Sequence, residues 1–257
     1  MVKESRGIQS IEVGSRLLNA LVHLGRPMPL KSLAEAAGMT PAKAHPYLVS
    51  FGKVGLIEQN GETGHYGLGP LALQMGLIGL HHVDPVRLAS AELPRLALET
   101  GQTVGIAVWG NRGPTFVRLE DGPTAIHVNM RHGTVVSLRG TATGRLFSAF
   151  VSREKVIDVL RAESGRQRVV LDEDFAADMQ RIREQRFALI TDGTVPGITA
   201  LSAPVFDGFG TMVLALTAIG PSATLEASPD SAPARALTAC ADRLSARLGA
   251  RRSTVPA

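Results

Sequence analysis

The chain has 257 residues, of which 44% are hydrophobic and 19% charged, with a net charge of +4. That length holds one large domain or two modest ones, and the hydrophobic share supports a packed core, which excludes a disordered chain. One cysteine, Cys240, excludes an intrachain disulfide and a cysteine metal cluster and points to a reducing compartment. The N-terminal MVKESRGIQS has no apolar signal core, and runs such as 212–219 are too short to span a bilayer. A cytoplasmic chain with no membrane partner is expected.

In chain order, residues 8–24 carry apolar side chains at 11, 17, 18, 21 and 24, the spacing of an amphipathic helix that ends at Arg26-Pro27. Gly14 within it costs about 1 kcal/mol relative to alanine. Residues 30–37 form a second, short helix with Leu33 and Ala37 on one face, and Gly38 suits a tight turn that needs positive φ. Thr40 then fits a helix N-cap and Pro41 the first helical position. Ala44, Leu48 and Phe51 recur at i, i+4 and i+7, so the third helix also buries one face. Residues 56–59 and 65–68 read as strands around an Asn60-Gly61 turn, giving a hairpin. Helix, turn, helix, hairpin is the order of a winged helix-turn-helix. The first 80 residues hold seven basic and five acidic side chains, an excess too small to hold DNA tightly in one copy.

Residues 68–83 (LGPLALQMGLIGLHHV) are apolar nearly all round, with Leu71, Met75, Ile78 and His82 on one stripe. They read either as ordinary core or as a linker helix packed on its copy in a dimer. A helix is expected at 86–100 with Gly101 as its C-cap. Strands follow at 103–109, 115–120, 125–130 and 135–138, then helices at 143–150, 154–163 and 172–185. Strands at 187–191, 198–205 and 211–219 and a helix at 232–248 close the pattern. This is an α+β domain, an antiparallel sheet with helices on its faces. Four segments result: 1–67 the winged helix-turn-helix, 68–84 a linker helix, 85–250 a second domain, and 251–257 a frayed tail.

Searches for chemistry return little. The chain lacks GxSxG, a phosphate loop, GxGxxG and HExxH. His81 and His82 point about 100° apart on a helix and make no ligand pair. His127 and His132 have no cysteine or carboxylate at ligand spacing, and Asp172-Glu173-Asp174 fits the acidic first turn of a helix. Cys240 fits packing rather than nucleophilic attack. No catalytic residue, cofactor or metal is expected. Residues 139–145 (RGTATGR) form a small-residue turn into a helix, whose free N–H groups suit an anion such as a carboxylate, or serve a plain N-cap. Residues 191–197 join two strands, as a cavity lid or as a surface loop.

Taken together, IQSIEVGSRLLNAL, PLKSLAEAAGMTPAKAHPYL, GHYGLGPLALQMG, LALETGQTVGIAVW and TALSAPVFDGFGTMVLALTAIGP resemble the IclR family of bacterial transcriptional regulators over residues 8–248. The resemblance implies a winged helix-turn-helix, a linker helix and a GAF-like effector domain. It also implies operator DNA bound by a homodimer or a dimer of dimers, and a small organic or aromatic acid that alters DNA affinity. On DNA it implies roles for Thr40, Ala42, Lys43, His45, Ser50 and Lys53 in the second helix of the motif and for Asn60 and His65 in the wing. In the effector pocket it implies Arg139, Thr141, Ala142, Thr143, Gly144, Ile190, Asp192, Ala200, Thr217 and Ile219. Arg139 and Arg145 add charge there if either turns inward.

Several positions depart from the family pattern. The turn usually resembles H-A-(T/S)-x-x-G-K, and here it is RGTATGR. In the G-Y-A-x-x-x-x-E loop the glutamate is missing and Asp192 lies one place earlier. Ala200 stands where cysteine or another small residue is common, and Thr217 and Ile219 stand where some members have serine. Pro46 stands where arginine is common, which predicts a local kink and a lost cationic contact. The alternatives from other classes are a small-molecule-binding enzyme with a vestigial winged helix and a protein-interaction module. A salt-dependent DNA shift assay separates both from a regulator.

Overall fold

A computed structural model describes residues 7–123, 130–165 and 171–250, with the backbone alone for Leu80 and His81. The expected strand at 125–130, apart from Met130, lies outside the described residues, as do His127 and the tail at 251–257. The chain divides into two compact units, Met1–Val83 and Asp84–Ala257.

The first unit runs α1 (Gln9–Leu24), α2 (Leu30–Ala36), α3 (Pro41–Lys53), β1 (Ile57–Gln59), β2 (Tyr66–Leu68) and α4 (Pro70–His82). Leu17, Leu21, Leu33, Ala34, Ala44 and Leu48 are buried together as its core, with Ile57 and Tyr66 from the hairpin. Two of the α1 positions read as core are not: Ile11 is 64% and Leu24 44% exposed. Gly14 instead faces α3, where a Cβ would stand 2.9 Å from Tyr47 Cδ1 and 3.0 Å from Phe51 Cζ. The glycine that breaks the helical preference is what lets the two helices approach closely.

Gly38 takes φ 65°, and the Met39 N–H returns to the Ala34 carbonyl at 2.9 Å, closing α2 and starting the turn. Thr40 caps α3, its hydroxyl oxygen accepting from the Lys43 N–H at 3.3 Å. The helix continues through Pro46 to Lys53, so the proline removes one N–H without ending it. Asn60 holds the wing turn by accepting from the Glu62 and Thr63 N–H groups. Leu71 N–H reaches the Gly55 carbonyl at 2.9 Å, which fixes the start of α4 against the hairpin. Along α4, Leu73, Met75, Leu77 and Ile78 are between 58% and 65% exposed.

The second unit runs α5 (Pro85–Ser90), α6 (Leu93–Thr100), β3 (Thr103–Gly110), β4 (Gly113–Glu120), α7 (Ala142–Phe150), α8 (Arg153–Ser164), α9 (Glu173–Gln185), β5 (Ala188–Thr191), β6 (Ile198–Phe206), β7 (Met212–Pro221) and α10 (Ala232–Arg247). The strands form one antiparallel sheet in the order β4-β3-β7-β6-β5. Leu214, Leu216 and Ala218 of β7 turn to one face, packing with α6 and α10. Ala215 and Ile219 turn to the other, packing with α7 and α9. With both faces covered, the central strands are apolar almost throughout, which is why they read so plainly in the sequence.

Two expectations fail here. The single helix at 86–100 is two: Asp84 caps α5 by accepting from the Val86 and Arg87 N–H groups, and a fresh start with Pro94 in the first turn of α6 follows Ala91-Glu92. Residues 135–138 are not a strand. They run beside β4 through one bridge, Thr115 to Val135, with the Val136 N–H donating to the Pro114 carbonyl.

Candidate nucleic-acid interface and ligand cavity

On α3 the buried residues Ala44 and Leu48 leave Ala42, Lys43, His45, Ser50 and Lys53 exposed on the remaining faces, as is Thr40 before the helix. Three of the polar groups expected at DNA also make internal bonds. The Thr40 oxygen caps the helix, Ser50 Oγ donates to the Pro46 carbonyl at 2.9 Å, and the Asn60 oxygen is held by the wing. His65 is half-buried beside the wing turn. Lys43, His45 and Lys53 are therefore the exposed polar side chains of α3 without a bond inside the unit among the described residues. Pro46, where the sequence predicts a lost cationic contact, is exposed on this surface, and so is Val49, which the sequence reading did not include. Their positions at i+4 and i+7 from Ala42 were the available signal.

In the second unit a cavity of about 300 Å³ opens at the start of α7. Thr141, Ala142, Thr143, Ile190, Ala200 and Ile219, all named for the effector pocket by the family resemblance, line it. So do Gly193, Thr194 and Val195 of the 191–197 loop, which the sequence offers as a cavity lid or a surface loop, and Phe116 of β4, the stretch 134–137 and Ile198, which sequence reasoning missed. The 191–197 loop closes one side: the Thr194 N–H and hydroxyl both donate to the Gly140 carbonyl at 3.0 Å. Among the described residues, no charged side chain lines the cavity.

The four other expected residues lie outside the lining, each for a physical reason. Arg139 turns away to α9, pairing with Asp172 at 2.6 Å and stacking over the Phe175 ring. That carboxyl is held below the usual carboxylate range, first by the Phe175 N–H and then by Arg139. Arg145 likewise leaves, donating to Asp178 at 3.0 Å and to the Arg139 carbonyl at 2.8 Å. Gly144 is pressed against the backbone of Ser137 and Leu138, so it shapes the turn rather than meeting the cavity. Asp192, at φ 53°, is exposed, and its carboxylate accepts from the Gly197 N–H to hold the loop.

Thr217 lies one layer beneath the lining. Its hydroxyl stands 2.8 Å from that of Thr143 and 2.9 Å from that of Ser202, which reaches the Leu216 carbonyl at 3.2 Å. Each hydroxyl has one proton. All three contacts are satisfied only if Thr143 donates to Thr217, Thr217 to Ser202 and Ser202 to the carbonyl. Thr143 then presents lone pairs to the cavity. At the same helix start the Gly144 N–H is taken by the Thr141 oxygen, and no described residue takes the N–H groups of Ala142 and Thr143. An apolar wall with two free donors and one acceptor at a helix N-terminus can hold a small molecule with one anionic end.

Cys240 sits in the core on α10, away from this cavity, and burial pushes its thiol up to about 11. It is expected to resist a thiol reagent in the native protein at about pH 8, near a free thiol's own pKa, and to react fully after unfolding. Fast native reaction would contradict this burial.

A winged helix-turn-helix followed by a sheet domain with a ligand-sized cavity defines a ligand-responsive DNA-binding regulator. A family model described as the IclR helix-turn-helix domain matches residues 10–61, and one described as bacterial transcriptional regulator IclR C-terminal matches residues 78–246. The chain belongs to the IclR family of bacterial transcriptional regulators. It is 30% identical over 256 residues to the glycerol operon regulatory protein of Streptomyces griseus, covering 96% of this chain and 99% of that one. The crystal structure of Pseudomonas aeruginosa HmgR matches with a TM-score of 0.86 and 35% identity, covering 96% of this chain and all of that one. The transcriptional repressor IclR of Escherichia coli is 23% identical over 220 residues, covering 83% and 80% of the two chains. No described helix is long and apolar enough to cross a membrane.

Proposed function

We propose that this regulator binds its operator through α3 and the wing and is controlled by a small carboxylate with an apolar or aromatic body held at the start of α7. The observation that carries the ligand class is the pair of N–H groups, at Ala142 and Thr143, that no described residue takes, in a cavity walled by Ile190, Ala200 and Ile219. With no arginine among the described residues of the lining, the helix dipole and these donors answer the charge, an interaction of roughly 0.3–1 kcal/mol that rises in partly buried sites. A hydroxyl or N–H on the ligand finds its acceptor at Thr143. Calorimetry of the full chain against a panel of aliphatic and aromatic acids and their amides is the test. Acids are expected to bind and amides to bind more weakly; equal binding of both removes the carboxylate from the account.

The exposed apolar side chains of α4 support a homodimer or a dimer of dimers in which copies of this helix cover one another. Two helix-turn-helix units then act together, which the small positive charge of each requires. The segments 1–67, 68–84 and 85–250 serve as DNA-binding, linking and effector-binding parts, and the protein works in the cytoplasm without catalysing a reaction. Lys43 and Lys53 set register on phosphates, while Thr40, Ala42, His45 and Ser50 face the major groove and Asn60 and His65 approach it from the wing. Lys43→Ala is expected to weaken operator binding and to flatten the salt dependence by roughly one unit, the loss of one phosphate contact. An unchanged slope and affinity would take Lys43 out of the interface.

A further inference from the structure

The centre of the exposed face of α3 is apolar. Ala42, Pro46, Val49 and Lys53 recur at i, i+4, i+7 and i+11 and lie on one face, opposite the buried Ala44 and Leu48. All four are exposed, and Val49 is 43% exposed. The first three have no side-chain hydrogen-bonding group. Pro46 has no N–H either, and the neighbouring Ser50 hydroxyl gives its proton to the Pro46 carbonyl. The exposed polar side chains, Lys43, His45, Ser50 and Lys53, stand at the flanks and the far end of this strip. A face of this kind cannot read bases by the bidentate hydrogen bonds that arginine, asparagine or glutamine make. The major groove offers one apolar group, the C5 methyl of thymine.

We infer that Ala42, Pro46 and Val49 form a thymine-methyl reader, so that each operator half-site is specified at its centre by thymines rather than by hydrogen-bonded guanine or adenine. The inference rests on α3 being the recognition helix. The strip from Ala42 to Val49 is about 10 Å long at the helical rise, which spans roughly three base-pair steps. Within that window the methyls on either strand pack against the proline ring, the valine and the alanine methyl, while Lys43 and Lys53 fix the register on phosphates.

The test uses the full chain and a duplex that it selects from a randomised pool. Each thymine of the selected duplex is replaced in turn by deoxyuridine, which keeps the pairing and removes only the methyl. Uridine at two or three clustered positions in each half-site is expected to weaken binding by about fourfold apiece, the loss of one buried methyl-sized group. Val49→Ser, on an exposed position, is expected to abolish the penalty at one of those positions and leave the others. If uridine is tolerated throughout and Val49→Ser binds as the parent does, while Lys43→Ala still weakens binding, the helix is the reader but the methyl strip is not. If no duplex is selected from the pool, the recognition-helix reading fails and takes this inference with it.

Discussion

Thr143→Trp is expected to abolish ligand binding while operator binding without ligand persists. Thr143 is 2% exposed and contributes to the cavity wall at the start of α7, so an indole there occupies the space the ligand needs. It also removes the hydroxyl that meets Thr217. Affinity should fall at least roughly a hundredfold, about 2.7 kcal/mol, read by calorimetry. Because a larger side chain in a packed region costs about 1–3 kcal/mol of stability, a second variant keeps the reading clear. Ala200→Phe fills the same cavity from β6, where the position is only half-buried. Both variants should lose the ligand and keep a cooperative unfolding transition. Ligand affinity untouched in both folded variants would place the binding site elsewhere.

Gly144→Ala is expected to be the most damaging single-carbon change in the effector domain. A Cβ at Gly144 would stand 2.0 Å from the Ser137 carbonyl oxygen and 2.7 Å from Leu138 Cα. These are backbone atoms that cannot swing aside, and Ser137 is itself tied through its carbonyl to the Thr141 hydroxyl at 2.7 Å. The turn and the first turn of α7 must separate, at a cost of about 3 kcal/mol or more. That corresponds to a midpoint lower by roughly 6–12 °C for a domain of this size. Gly61→Ala is the control, since nothing lies within 4 Å of a Cβ there. A Gly144→Ala protein that melts with the parent would mean the turn relaxes freely, and the close fit of 137–144 would not be what shapes the cavity.

The first unit was legible because its signals are local. Thr40, Pro41 and Gly38 act within a few residues of where they stand, and the apolar spacing of α3 needs only one helix to be seen. The second unit was legible where strands are buried on both faces and obscure where contacts are distant. Arg139 and Arg145 looked like pocket cations, yet their carboxylates, Asp172 at the N-cap of α9 and Asp178 within it, lie 33 residues further on in each case. Nothing local to the RGTATGR turn tells that its arginines are already engaged. Phe116 enters the cavity because β4 crosses beside the 134–137 stretch, a neighbour relation that spacing does not encode. The same stretch is rich in β-branched residues, as strands are, but makes only one bridge, and its side chains serve as cavity wall instead. Thr217 was placed on the correct strand and face, one layer too shallow, because a hydroxyl chain to Ser202 holds it under Thr143.

Control of DNA binding from this cavity requires the ligand to prefer one of two states of the protein, since a ligand with equal affinity for both shifts nothing. The most direct measurement is the operator affinity of the full chain at one fixed salt concentration, with and without a saturating acid already shown by calorimetry to bind. The affinity is expected to change by roughly 5–150-fold, the range of coupling of about 1–3 kcal/mol, and Thr143→Trp is expected to show no change under the same conditions. Equal operator affinity with and without the bound acid would contradict the account.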